Sequence, residues 1–255
     1  MAQQESMIKL KGRVGDLTFY KNNKGYQVRQ AKGVDPARVK KDPSFIRSRE
    51  NASEFGRAVR AAKLLRDALR PLLLHQTDST LVNRLNSRML RILKSDDLNR
   101  RGERVVRPGN TGMLKYFDFN CNAPLHETLL FRYSVAVDTS AGIVQLHIPA
   151  CYPKQAIVSP REAMYLRFTA AVVRMDFTGV EEAHPYPPLA LQTTELLPLT
   201  GKLPELTLDL TIDGGIGSGP VIVLLGLSYF ECFGSELYPL KSKEGSSLGI
   251  VEVVV

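Results

Sequence analysis

Between residues 110 and 111 the chain changes charge and periodicity together, and this double break limits its possible folds more than any single motif. Residues 1–110 hold 25 of the 34 Lys and Arg and 11 of the 26 Asp and Glu, a net of +14; residues 111–255 hold 9 against 15, a net of −6. The first part alternates turns with helical patterns, and the second is a series of short apolar stretches separated by Gly, Pro, Ser and Asp. Such a split predicts two segments with different surroundings. The expected class is α+β: an N-terminal β-hairpin plus basic helices over residues 1–110, then an all-β, sandwich-like domain over residues 111–255. A chain of 255 residues that is 44% apolar is long enough to give each a core.

The hairpin is read from "GRVGDLTFYKNNKGYQVRQ", Gly12 to Gln30. Leu17 and Phe19, then Tyr26 and Val28, repeat at the period of two of a strand with one buried face. Asn22 to Gly25 tolerate the left-handed backbone of a tight turn. A two-stranded hairpin is marginal in water. Its face, with Leu17, Phe19, Tyr26 and Val28 as docking residues, must therefore pack on something, either the helical stripe of the same chain or a neighbouring subunit.

Asp42 before Pro43 predicts a capped helix start. Phe55, Val59, Ala62, Leu65, Leu69 and Leu72, alternately four and three apart, form the expected apolar stripe. Pro71 should end or kink that helix. A second helix, capped by Asp78 or Ser79, carries Leu81, Leu85, Met89 and Ile92 on one side and Arg84, Arg88 and Arg91 on the other. Residues 100–112 read as a basic linker. Beyond it, strands are expected within 113–121, 128–138, 143–149, 163–177, 205–213, 220–232 and 248–255, interrupted by a Pro-rich segment over residues 181–205. The apolar ending "SLGIVEVVV" is either an internal strand or an edge that pairs with a partner.

Three blocks, "GRVGDLTFYKNNKGYQVR", "DPSFIRSRENASEFGRAVRAAKLLRDAL" and "LKYFDFNCNAPL", resemble a family of Bacteroidota proteins that share a G-x-V-G-x-x-x-x-Y hairpin, a helix opened by an R-x-R-E-N-like run and a β C-terminal half. The resemblance implies architecture and brings no activity, so no functional residue follows from it.

Catalytic signals are weak. His75, His126, His147 and His184 stand apart in sequence, without the one-turn spacing of a helical metal site. Glu181 and Glu182 near His184 are the best local metal or acid–base grouping, and a solvated loop accounts for them as well. "DGGIGSGP", Asp213 to Pro220, leads into a strand and lacks the Lys-Ser/Thr pair of a phosphate loop. Ser218 has its glycines at the wrong offsets for a nucleophile elbow. Cys121, Cys151 and Cys232 sit in strand-like stretches and are expected as buried free thiols in a reducing compartment. No cofactor, metal or catalytic residue is expected. No opening secretory pattern and no run long enough to span a bilayer is read, so the expected location is cytoplasmic, or release in a particle without a classical signal.

The basic half is the feature above background. Arg84, Arg88 and Arg91, with Arg100, Arg101, Arg104 and Arg107, are candidate contacts for phosphates or an acidic partner, and Tyr20 and Tyr26 beside Lys21, Lys24 and Arg29 are candidates for stacking on bases. Two functions follow as expectations. The first is a non-enzymatic assembly or interaction protein, such as a structural component or cargo of a phage-like or secretion particle, with a protein partner or self-association. The alternative is a nucleic-acid-associated protein that binds phosphate backbone through its N-terminal half.

Overall fold

The computed structural model describes residues 2–4, 8–22, 24–30, 35–74, 78–107, 109–138, 140–177, 188–212 and 219–255. Asn23, His75, Pro108, the start of the Pro-rich segment with Glu181, Glu182 and His184, and Asp213 to Ser218 lie outside the described residues. The chain is α+β, and its contacts divide it into two compact units, Met1–Arg49 and Glu50–Val255.

The first unit holds a four-stranded antiparallel sheet where the sequence predicts a hairpin. β1 (Ala2–Gln3), β2 (Gly12–Val14), β3 (Leu17–Asn22) and β4 (Gly25–Gln30) lie in the order β1-β4-β3-β2. Val14 pairs with Leu17 across the two-residue turn Gly15-Asp16, so the opening stretch folds back once more than expected. The expected turn at Asn22 is present, with Lys24 N–H donating to Asn22 Oδ1 at 2.9 Å and Gly25 at φ 103. Asp35 caps α1 (Pro36–Lys41), and Asp42 accepts from Ser44 N–H at 2.9 Å to start a 3-10 turn at Pro43, which leads into α2 (Ile46–Ala68).

The second unit is built in three layers around one sheet. Its central strands are β7 (Tyr165–Arg174) and β11 (Val221–Phe233), antiparallel over ten residue pairs. β12 (Glu236–Pro239) and β13 (Ser246–Val254) continue the sheet beyond β11; β8 (Leu189–Thr193) and β9 (Leu197–Pro198) continue it beyond β7. One face meets a smaller sheet, ordered β10-β6-β5, of β5 (Ser134–Asp138), β6 (Ile143–Ile148) and β10 (Leu206–Thr211). Val223, Leu225 and Leu227 of β11 pack there with Leu166 and Phe168 of β7, Leu146 of β6 and Leu208 of β10. The single turns α5 (Leu125–Thr128) and α6 (Pro153–Ala156) belong to its connections.

The opposite face is covered by α2 and by α4 (Leu81–Lys94): Ile222, Leu224, Ala171, Val173, Leu248 and Ile250 share one core with Ala62, Leu65, Leu85, Met89 and Ile92. A strand buried on both faces needs an apolar residue at nearly every position, which is why "VIVLLGL" is continuous. The basic helices are therefore one layer of the β domain, and no boundary falls at residue 110. α2 ends at Ala68, and Pro71 opens the single turn α3 (Arg70–Leu73), as the proline predicts.

Several expectations are corrected. The buried face of α2 starts on Glu54, Ala58 and Ala61, with Phe55 51% exposed, because small residues let the helix approach the sheet closely. Residues 113–121 are not a strand: they hold the end of a 3-10 turn, Thr111–Leu114, and an irregular run bonded to β13, with Tyr116 N–H donating to Ile250 O and Phe119 N–H to Leu248 O, both at 2.8 Å. That run occupies the free side of β13, so the apolar C-terminal strand is no open edge. Cys121 and Cys232 are exposed and only Cys151 is half-buried, since Cys121 falls in a turn and Cys232 lies where β11 outruns its covering layers.

The expected linker is folded too. Buried Glu54 accepts from Gly102 N–H at 2.8 Å, and Arg57 Nε–H donates to Arg104 O at 2.7 Å while its Nη2 donates to Gly102 O. Gly102 stands at φ 88, and a Cβ there would meet Glu50 Cγ at 2.9 Å. Asp96, also buried, accepts from Leu98, Asn99 and Val105 N–H. Glu54→Ala should cost about 1–3 kcal/mol, since it strands buried donors. Under limiting trypsin, the wild-type chain should survive at Arg100 to Arg104 while Glu54→Ala is cut there first; equal rates would contradict the pinning.

Asp78, whose side chain is 1% exposed, ties the start of α4 to the run after Phe119. It accepts from Thr80 N–H and Oγ1–H at 2.6 Å, from Arg84 Nη2 at 2.5 Å and from Cys121 N–H at 3.3 Å. Burial pushes its carboxyl up, but the Thr80 and Arg84 donors outweigh burial and hold it well below the usual carboxylate range. Asp96 is likewise lowered: burial is opposed by the Val105 and Asn99 donors. The stability that such depressed carboxylates contribute is complete above the unfolded value of about 4 and is lost as pH falls through the folded one. Asp78→Asn should lower stability by about 1–3 kcal/mol at pH 7, with the gap to wild type closing as melts are taken toward pH 2.

Candidate functional site

In the N-terminal sheet, the strand register sorts the docking residues onto one face. Phe19 is opposite Val28, Leu17 opposite Val14, and Tyr26 opposite Lys21, whose ammonium lies 5.3 Å from the Tyr26 ring centroid. Thr18, Tyr20, Gln27 and Arg29 share the reverse face, where Arg29 covers Tyr20 at 5.6 Å. Val14 is 64% and Leu17 43% exposed, Phe19, Tyr26 and Val28 are half-buried, and no described residue of Met1–Arg49 is buried. The Ala62, Leu65 and Leu69 part of the α2 stripe, the first docking place expected for this face, is taken up by the core of the second unit.

The seven arginines divide into two groups. Arg84 is paired with Asp78, Arg101 with Glu50 at 3.3 Å, and Arg104 with buried Glu54 at 3.9 Å, so these three hold the fold together. Arg88 donates to Met113 O at 2.8 Å and lies 5.9 Å from the Phe117 ring centroid, with no carboxylate partner among the described residues. Arg91, Arg100 and Arg107 are exposed and, among the described residues, have no acidic partner. Arg84, Arg88 and Arg91 border an open cleft of about 440 Å³ with Asn83, Tyr116 and Asp118. Tyr116 is 71% exposed at φ 63, a backbone conformation that a bulky residue adopts only under constraint. The Tyr116 N–H donates to Ile250 O at 2.8 Å, which fixes the backbone against β13, and beside it Lys115 pairs with Glu252 at 2.7 Å. Burial raises the Asp118 carboxyl in this cleft, only partly opposed by the Leu125 N–H and the charges of His126 and Arg84.

A larger cleft, about 800 Å³, lies on the helix-facing side of the central sheet. Pro71, Leu72 and Leu74 form one wall, where the helical cover stops, and the floor is the part of the sheet beyond it. There the apolar pattern gives way: Thr169 pairs with Gly226, Arg167 with Ser228, and Ser228 with Ser246. Gly226 leaves the floor open, since a Cβ would come within 3.1 Å of Leu248 Cδ1. The Arg167 guanidinium lies 5.2 Å from the Phe230 ring centroid. Pro71 and Leu72 are legible in the sequence as a helix break and part of an apolar stripe; Arg167, Thr169, Gly226 and Ser228 belong to no motif, although the polar Arg167 and Thr169 near the start of β7 and Ser228 toward the end of β11 mark the place.

The histidines within the described residues have carboxylate neighbours that their sequence positions hide. His147 Nε2 is 2.7 Å from Glu205 Oε1 at the surface, and His126 is 3.7 Å from both Asp118 and Glu127. Among the described residues no three His, Cys, Asp or Glu side chains come together as a metal site, and no helix is long and apolar enough to cross a membrane. No family model, no curated protein and no solved structure matches this chain.

Proposed function

We propose that this chain is a non-enzymatic assembly or interaction protein whose N-terminal sheet completes its core on a protein partner. The observation that supports this most is the first unit's want of a core: five apolar side chains, Val14, Leu17, Phe19, Tyr26 and Val28, share one face, and no described residue of the unit is buried. A few short strands without a covered apolar face do not hold in water by themselves. A protein surface supplies that cover, and a component or cargo of a phage-like or secretion particle is the kind of molecule that would present such a sheet. The apolar C-terminal strand does not contribute, because the run after Lys115 covers its free side.

A nucleic-acid-associated role is the second reading, favoured by the exposed, constrained Tyr116 ring next to Arg88 and Arg91. Bases stack on such rings while nearby cations neutralise phosphates.

Size-exclusion chromatography with light scattering, on nuclease-treated and untreated protein, separates the two. Assembly predicts a nuclease-resistant oligomer or complex that Phe19→Ala weakens about tenfold or more, with melting of the remaining monomer nearly unchanged. A mass that drops with nuclease and responds to Arg88→Ala and Arg91→Ala supports the second reading. A monomer indifferent to Phe19→Ala in both mass and melting refutes the assembly role.

A further inference from the structure

Where the helices stop, the central sheet holds a cation, Arg167, that pairs with no acid among the described residues. Arg167 projects from β7 into the 800 Å³ cleft, its Nε is fully buried without a hydrogen-bond partner, and no acidic side chain among the described residues pairs with it. Of the residues lining the cleft, Arg167 and Lys241 are cations and none is an acid. A partly buried guanidinium is costly unless an anion or hydrogen bonds compensate it. Phe230, with its ring centroid 5.2 Å away, holds the side chain over the floor and satisfies none of its donors.

We propose that this cleft binds a small organic carboxylate with an apolar body. Its volume is that of a small-molecule site. The planar guanidinium fork matches a carboxylate, with two parallel hydrogen bonds, and the Thr169 and Ser228 hydroxyls on the same floor can donate to the same oxygens. The other lining is mixed: Leu72, Leu191 and Leu248 offer apolar contact beside Thr193, Ser246 and Lys241, and Gly226 leaves room for a ligand to lie against the strand. A free phosphate fits less well, since it would leave the apolar contacts of Leu72, Leu191 and Leu248 unused and no helix N-terminus is in the lining. Pro71 explains why the space exists: by ending α2 it leaves the end of a sheet face uncovered. The site lies wholly in residues 50–255 and is independent of the assembly reading.

The test uses the full chain and three probes: 4-phenylbutyrate, its neutral amide and inorganic phosphate. Calorimetry should show saturable binding of the acid, with the amide and phosphate at least roughly tenfold weaker, because each loses the charge-assisted pair or the apolar contact. Arg167→Met, which keeps the stem's volume, should reduce acid binding by about tenfold and leave the amide unchanged, while Arg167→Lys recovers part of the loss. Amide-proton shifts caused by the acid should fall at Thr169, Gly226 and Ser228. The acid–amide comparison on the wild-type chain decides the question even if Arg167→Met does not fold. Absence of saturable acid binding below about 10 mM, equal affinity for acid and amide, equal affinity for phosphate, or shifts clustered elsewhere would each overturn the proposal.

Discussion

The pairing of β7 with β11 has no solvent-facing side along most of its length, and the rest of the second unit follows from that constraint. Antiparallel sheets commonly keep one face wet. Here Val223, Leu225 and Leu227 point one way and Ile222 and Leu224 the other, so two covers are needed. The smaller sheet supplies one. The other comes from α2 and α4, where Ala58, Ala61 and Ala62 bring a helix backbone close to the strands. Once α2 and α4 are committed there, the chain between them and the strands must also be held. Glu54 and Asp96 do this by accepting main-chain N–H groups of residues 98–105.

Charge is used twice in this arrangement. Much of the N-terminal basic excess looks like a binding surface in one dimension, yet Arg57, Arg84, Arg101 and Arg104 act on groups within the second unit. Such pairs contribute order more than energy when exposed, and the buried members, Glu54 and Asp78, make partner loss costly. Among the described residues Arg88, Arg91, Arg100 and Arg107 are left without carboxylates, and Arg167, from the acidic half, joins them. Each unit has a place where covering or compensation stops. In the first unit that place is an apolar sheet face, and in the second it is the polar end of a sheet face below Pro71.

The sequence by itself determined what depends on near neighbours. The turn at Asn22 to Gly25, the Asp42–Pro43 start, the break at Pro71, the amphipathic pattern of α4 and the apolar β11 were all legible, because backbone stereochemistry and side-chain period act within a few residues. The α+β class follows from those elements. The apolar face of the N-terminal sheet was likewise readable, as Leu17, Phe19, Tyr26 and Val28 keep the period of a strand.

Tertiary structure alone decided which pieces belong together. The break in charge at residue 110 looked like a boundary, but burial is shared by residues far apart in sequence, and a core formed by Leu65, Met89 and Ile222 runs across it. The linker became a folded loop because Glu54, an ordinary helix residue in the sequence, is placed within 2.8 Å of Gly102 N–H. The run at Tyr116 became the cover of a strand edge through bonds to residues more than 120 positions later. Arg167 gained its meaning in the same way: a lone arginine in a strand carries no signal, and only the end of the helical cover shows that its charge faces a cleft with no acid among its described lining residues, since pairing is a property of distance in space.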